Sequence, residues 1–184
     1  MTCGKIDLGC TRCRLSKRRT LVVPGNGPCN AKLVLIGEAP GRDEDIKGVP
    51  FVGRAGRLLD QALEDAGTMR ETVFCTNTVK CRPPGNRKPR KDEIRTCTNL
   101  YLSSELGKVR PKVICALGQT AAEYFMDLKT NLSDVIGREM PVTVQGRQVK
   151  LVVSYHPAAI LYQRKKMQEF QRSIDAAVKA AGLH

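Results

Sequence analysis

The chain has 184 residues, with 31 Lys and Arg against 18 Asp and Glu, a formal net charge of +13. That length suits one domain with a real core, read as residues 1–184, and 41% hydrophobic residues exclude a disordered chain. No apolar run approaches a membrane span, and the opening MTCGKIDLGC lacks the apolar core of a secretory signal; both point to a soluble intracellular protein, whose positive surplus favours a polyanionic partner such as nucleic acid.

In chain order, AKLVLIG (31–37) is an apolar run stopped by Gly and Pro and reads as a buried strand. AGRLLDQALEDAG (55–67) carries Leu58, Leu59, Ala62, Leu63 and Ala66 on one helical stripe, with Gly67 as a natural stop. TVFCTNTVK (72–80) reads as a second strand, KDEIRTCTNLYLSSELGKV (91–109) as a long helix, PKVICALG (111–118) as a third strand and GQTAAEYFM (118–126) as a short helix. QVKLVVSYH (148–156) reads as a fourth strand. From Pro157 to about Ala181 one helix is predicted, with Ile160, Met167, Phe170, Ile174, Ala177 and Ala181 at helical spacing and Pro157 in its first turn. Strands alternating with helices make an α/β domain with a mainly parallel sheet. Ligands gather at the carboxyl ends of such strands, which selects the loops after Gly37, Lys80, Gly118 and Tyr155.

The first of these loops, GEAPGRDEDIKGVPFVGRAG (37–56), holds five Gly, two Pro and four acids. It matches neither GxxxxGK[ST] nor GxGxxG, but its backbone is rigid, irregular and able to approach a ligand closely. Glu38 would project a carboxylate into the cleft, and Phe51 is an apolar ring in a polar loop, where it could equally plug the core. HPAAIL (156–161) puts His156 beside a helix N-terminus, a good place to stabilise a developing anion, although a lone His is more often structural. The other histidine is the terminal His184.

Eight cysteines are many for this length. Cys10 and Cys13 form a CxxC, and Cys81 and Cys97 flank the basic loop RPPGNRKPRKDEIRT; two thiolate pairs could ligate one cluster or one metal ion. Counting does not force these four. Cys29 is the main rival ligand, Cys75 and Cys115 inside apolar strands are expected as buried thiols, and Cys3 lies near a frayed end. Without a secretory signal, disulfides are not expected. The absence of Trp and 4% aromatics argue against a stacking platform for single strands.

Together, GEAPG, PFVG.AG, TN..KCRPPGNR.P, EI..C and HPAAIL, in that order behind a CxxC, resemble the family 4 uracil-DNA glycosylases, the iron–sulfur members found in many prokaryotes. The resemblance runs from Cys10 into the last helix. It implies a three-layer α/β/α sandwich around a short, mostly parallel sheet, and an enzyme that flips uracil out of DNA and hydrolyses its N-glycosidic bond, leaving an abasic site. It also implies a structural [4Fe–4S] cluster on Cys10, Cys13, Cys81 and Cys97, with Cys29 matching no ligand position.

On that resemblance Phe51 stacks on the flipped base. Asn77 reads its edge, the amide NH2 donating to O4 and the carbonyl accepting from N3–H, a pattern that cytosine reverses. Gly37 and Ala39 belong to the same base-binding pocket. His156 bonds O2 of the departing ring, and Glu38 stabilises the sugar cation or orients water. The related family with a GQDPY motif has Asp where Ala39 stands and Tyr where Gly41 stands. Glu38 is therefore taken as the water-activating carboxylate, with Asp43, Glu44 and Asp45 as rivals, and Glu44 is assigned the steric role against the thymine methyl. Arg82, Arg87, Lys88, Arg90 and Lys91, with Arg164, Lys165 and Lys166, would contact phosphates. Leu161 would wedge into the gap left by the flipped base or sit in the core. Competing readings are a non-catalytic or redox-sensing iron–sulfur DNA-binding protein, a sister glycosylase for other deaminated bases or one that traps DNA covalently, and a basic RNA-binding domain. A monomer is the default expectation, and neither end carries a sliding-clamp motif.

Overall fold

The structure is a computed structural model that describes residues 3–126 and 131–183, so His184 lies outside the described residues. Strands β1 (Leu33–Gly37), β2 (Phe74–Asn77), β3 (Val113–Leu117), β4 (Glu139–Val144) and β5 (Arg147–Ser154) form one sheet in the order β2-β1-β3-β5-β4. All neighbours are parallel except β4 and β5. The four predicted strands are present: β2 and β3 are shorter at both ends, β1 starts two residues later, and β5 starts one residue earlier and ends two residues sooner. The edge strand β4 escaped prediction because Pro141 interrupts it and its face is largely exposed. A two-residue turn pairs it with β5, Gln145 and Gly146 both holding positive φ (50° and 75°).

The helices are α1 (Arg42–Lys47), α2 (Arg54–Asp65), α3 (Lys91–Cys97), α4 (Ser103–Val109), α5 (Gln119–Ala122), α6 (Pro157–Tyr162) and α7 (Met167–Ala181). Side chains alternate across the strands. Leu33, Leu35, Val113, Cys115 and Val152 pack against Leu59 and Leu63 of α2, Ile160 of α6 and Phe170 and Ile174 of α7. Val34, Ile36, Ile114, Ala116 and Val153 pack against Leu106 of α4 and Ala121 of α5. This is the three-layer α/β/α arrangement, and each such buried aliphatic side chain contributes roughly 1.5–3 kcal/mol.

Two helix predictions need correction. Segment 91–109 is helical throughout, but a π-helical turn at Thr98–Leu102 joins α3 to α4. Segment 157–181 is two helices, broken at Gln163 (φ −126°, ψ 68°) and rejoined by the 3-10 turn Arg164–Lys166. The break separates α6, which packs on α2, from α7, which packs along β5 and β3.

The cysteines divide in a way that spacing did not reveal. Cys3 and Cys29 form a disulfide, against the expectation of none and of a frayed Cys3. Cys3 is 1% exposed among Val34, Phe74 and Leu106, and Lys5 N donates to Ser104 Oγ at 3.0 Å, so packing on α4 holds the segment in place. Cys75 and Cys115 are buried free thiols, as expected. No helix among the described residues is long and apolar enough to cross a membrane.

Candidate active site

The carboxyl ends of the parallel strands converge on one cavity of about 720 Å3, lined among others by Glu38, Phe51, Asn77, Gly118 and His156. Sheet register does the first part of the positioning. Gly37, the last residue of β1, pairs with Asn77, the last residue of β2, so the Asn77 side chain stands over a backbone with no side chain of its own. A Cβ at Gly37 would lie 2.4 Å from Asn77 Oδ1, 2.7 Å from Phe51 Cζ and 3.3 Å from His156 Nε2. These four residues therefore meet at one point. Asn77 is 3% exposed, and its Oδ1 has no hydrogen-bond partner among the described residues. A buried amide oxygen without a partner carries a cost that a ligand donor would remove.

His156 is the N-cap of α6, with Pro157 in the first turn. Its Nδ1 accepts a hydrogen bond from Ala158 N at 3.2 Å. Burial lowers its pKa from 6.5 to about 4. The ring is neutral at pH 7, Nδ1 is the acceptor, and the proton therefore sits on Nε2, facing Gly37 and the cavity.

The loop predicted to be irregular contains α1 and is closed by Glu44. That carboxylate accepts from Gly41 N (3.1 Å), Val52 N (3.0 Å) and Gly53 N (2.9 Å). It lines the cavity while tied to the loop backbone. Asp45 is buried and accepts from Thr20 N at 2.9 Å and Leu21 N at 3.4 Å; Asp43 is exposed. Of the acids in the loop, only Glu38 lines the cavity without being tied to loop backbone, and Thr120 Oγ1 donates to its Oε2 at 2.5 Å. Ala39 lines the cavity beside it.

Cys10, Cys13, Cys81 and Cys97 line a second, small buried pocket. Arg19 Nη1 donates to Cys81 Sγ at 3.6 Å and Lys80 N to Cys97 Sγ at 3.3 Å. Burial pushes the Cys81 thiol up to about 12 and the Cys97 thiol up to about 11. Four thiols round one pocket, two of them accepting N–H donors, are a donor set that suits an iron–sulfur cluster or one tetrahedral metal ion. Cys29, committed to Cys3, is not among them.

Two basic segments reach the cavity, through Arg87 in the loop after β2 and Lys166 in the turn after α6. Arg82 donates to Asn86 Oδ1 at 2.7 Å, Lys88 is exposed, and Arg87 forms a bidentate pair with buried Glu93 at 2.9 and 2.7 Å. Arg164 and Lys165 are exposed on the turn between α6 and α7, while Lys166 lines the cavity with its Nζ 4.4 Å from the Tyr155 ring centroid. Leu161 is half-buried, whereas the neighbouring Tyr162 is 86% exposed.

Sequence reasoning missed the residues that brace these groups. Lys80 and Glu105 form a fully buried ion pair at 2.6 Å, and Lys80 Nζ also donates to Asn77 O at 2.8 Å. Glu93 orders the basic loop, and Arg70 lies behind Phe51. A charged residue in the sequence carries no sign of its burial, so no sequence signal flagged them.

The uracil DNA glycosylase superfamily model matches residues 24–179. The type-4 uracil-DNA glycosylase of Archaeoglobus fulgidus is 45% identical over 168 residues, covering 89% of this chain and 84% of that protein. The type-4 uracil-DNA glycosylase of Thermotoga maritima is 40% identical over 166 residues, covering 90% and 83%. The type-5 uracil-DNA glycosylase of Pyrobaculum aerophilum is 30% identical over 153 residues, covering 75% and 66%. With the parallel sheet, the cavity at its carboxyl ends and matches of this extent, the chain belongs to the uracil DNA glycosylase superfamily and groups with its type-4 members.

Proposed function

We propose that this protein is a DNA-repair glycosylase acting inside the cell, which flips uracil out of DNA and hydrolyses its N-glycosidic bond. The observation that carries the reading is the buried Oδ1 of Asn77, which has no hydrogen-bond partner among the described residues and faces Gly37, Phe51 and His156. Uracil N3–H is the donor that this oxygen lacks, and the amide NH2 of the same side chain donates to O4. Cytosine offers an acceptor at N3 and a donor at N4, which leaves both groups mismatched in a buried site.

The flipped base stacks on Phe51, with Gly37 as the floor that leaves room for it. As the bond to the sugar breaks, negative charge builds on O2, and the Nε2–H of neutral His156 donates to it. Glu38, fixed by Thr120, faces the cationic sugar and orients the attacking water. Glu44 holds the loop closed and, from the cavity wall, limits the space beside the base against a thymine methyl. Arg82, Lys88, Arg164 and Lys165 bind phosphates beside the cavity, with Leu161 as the wedge into the vacated stack.

Cys10, Cys13, Cys81 and Cys97 hold a [4Fe–4S] cluster that ties the N-terminal segment to the basic loop. The supporting facts are the shared pocket and the N–H donors directed at Cys81 and Cys97. When bound, the cluster has a structural rather than a chemical part in this reading.

The test is release of free base from an oligonucleotide with a single labelled uracil, beside matched thymine and cytosine substrates. Release from uracil alone supports the proposal. Tight DNA binding without release, by protein carrying its iron, would replace it with the non-catalytic DNA-binding reading.

A further inference from the structure

We propose that Arg70 is a positioning residue for the stacking ring of Phe51, acting from behind the cavity wall on a base it never touches. The inference rests on the reading that uracil stacks on Phe51, and it adds a residue outside every motif of the loop.

Phe51 has φ +56°, a left-handed conformation that bulky side chains rarely hold. Something must keep it there, and the structure supplies three restraints. Gly56 packs so closely that a Cβ there would lie 1.7 Å from Phe51 O. Glu44 accepts from the next two amides, Val52 N and Gly53 N. Arg70 takes the remaining side. Its Nη2 donates to Phe51 O at 3.4 Å and to Gly56 O at 3.3 Å, and its guanidinium carbon lies 5.7 Å from the Phe51 ring centroid.

Arg70 is itself aimed. Its Nε donates to Asp60 Oδ1 at 2.7 Å, and Asp60 lies on α2, the helix that carries Gly56. Arg70 begins the 3-10 turn Arg70–Thr72 that leads into β2. The guanidinium thus joins the Phe51 backbone, the Phe51 ring and α2 to the lead-in of the strand that ends at Asn77. A planar fork can reach two carbonyls and a carboxylate while lying against a ring, which a lysine ammonium cannot. Arg70 is absent from the cavity lining, so its effect on the base passes through Phe51.

The experiment is a double-mutant cycle on single-turnover uracil release, using cluster-loaded protein with Arg70→Leu, Phe51→Ala and both changes. A misplaced ring predicts that Arg70→Leu slows release about 10- to 100-fold while affinity for undamaged duplex stays within about twofold. It also predicts coupling: the double variant is no slower than Phe51→Ala alone. Multiplying losses in the double variant, or an Arg70→Leu rate loss matched by its loss of folded protein, overturns the proposal. Should Arg70→Leu not fold, Arg70→Lys keeps the charge without the fork and is expected to lose about tenfold under the same coupling test. The chain contains no Trp, so Phe51→Trp gives a reporter independent of activity. Adding Arg70→Leu to it must increase quenching of that single indole by acrylamide; unchanged quenching also overturns the clamp. If the unaltered protein releases no uracil yet the quenching rises, the function reading fails and the clamp on residue 51 stands.

Discussion

Replacing Gly37 by Ala tests the site at its narrowest point. The new methyl would stand 2.4 Å from Asn77 Oδ1 and 2.7 Å from Phe51 Cζ, whereas carbon contacts settle at about 3.5–4.0 Å. Carboxamide and ring must each retreat by about 1 Å, and a misplacement of that size costs roughly a hundredfold in rate. Gly37 does not have positive φ, so the backbone accepts Ala and the effect is confined to the crowding. Uracil release under single-turnover conditions should fall about a hundredfold or more, which is about 3 kcal/mol or more of barrier. The overpacking itself should cost about 1–3 kcal/mol of stability. Phosphate contacts are untouched, so binding to undamaged duplex should change by no more than about twofold. A folded Gly37→Ala protein that still releases uracil within about threefold of the original, where roughly a hundredfold loss is expected, would refute placing the base at this convergence.

Further outcomes can be measured directly. Asn77→Asp removes the donor to O4 and should reduce uracil release by about a thousandfold or more; undiminished release would mean that Asn77 does not read the base. With His156 neutral down to a pKa of about 4, the rate should show no inflection near 6.5. The unfolded ring takes up a proton below 6.5 that the folded ring refuses until about 4, so the His156 contribution to stability is complete above 6.5 and is lost as pH falls through that window. His156→Ala should slow release about 10²- to 10³-fold with little change in DNA affinity, and equal losses in both would remove its catalytic role. Opening the Cys3–Cys29 disulfide, which spans 26 residues, should cost about 3.5 kcal/mol of stability by loop entropy; Cys3→Ser with an unfolding midpoint equal to the oxidised protein's would contradict that.

The sequence by itself determined the fold class, because alternating apolar runs and helical stripes leave few ways to bury both faces of a parallel sheet. His156 was singled out because it follows a strand's carboxyl end, where such sheets present their ligands, whereas Gly37 and Asn77 entered as base-pocket residues only through the resemblance, since the second strand was read as running on to Lys80. The edge strand Glu139–Val144 was not legible, since Pro141 and an exposed face erase the pattern on which strand reading depends. Nor were the partners of the charged groups. Asp45, Glu93, Glu105 and Lys80 resemble surface residues in a string of letters, yet each is buried and bonded. The Cys3–Cys29 bond, the closure of the loop by Glu44 on Val52 and Gly53, and the restraint of Phe51 by Arg70 join residues between 8 and 26 positions apart. Hydrophobic periodicity is a local property and survives in one dimension. Which charge meets which backbone group depends on how loops close over the finished sheet, and that is decided only in three.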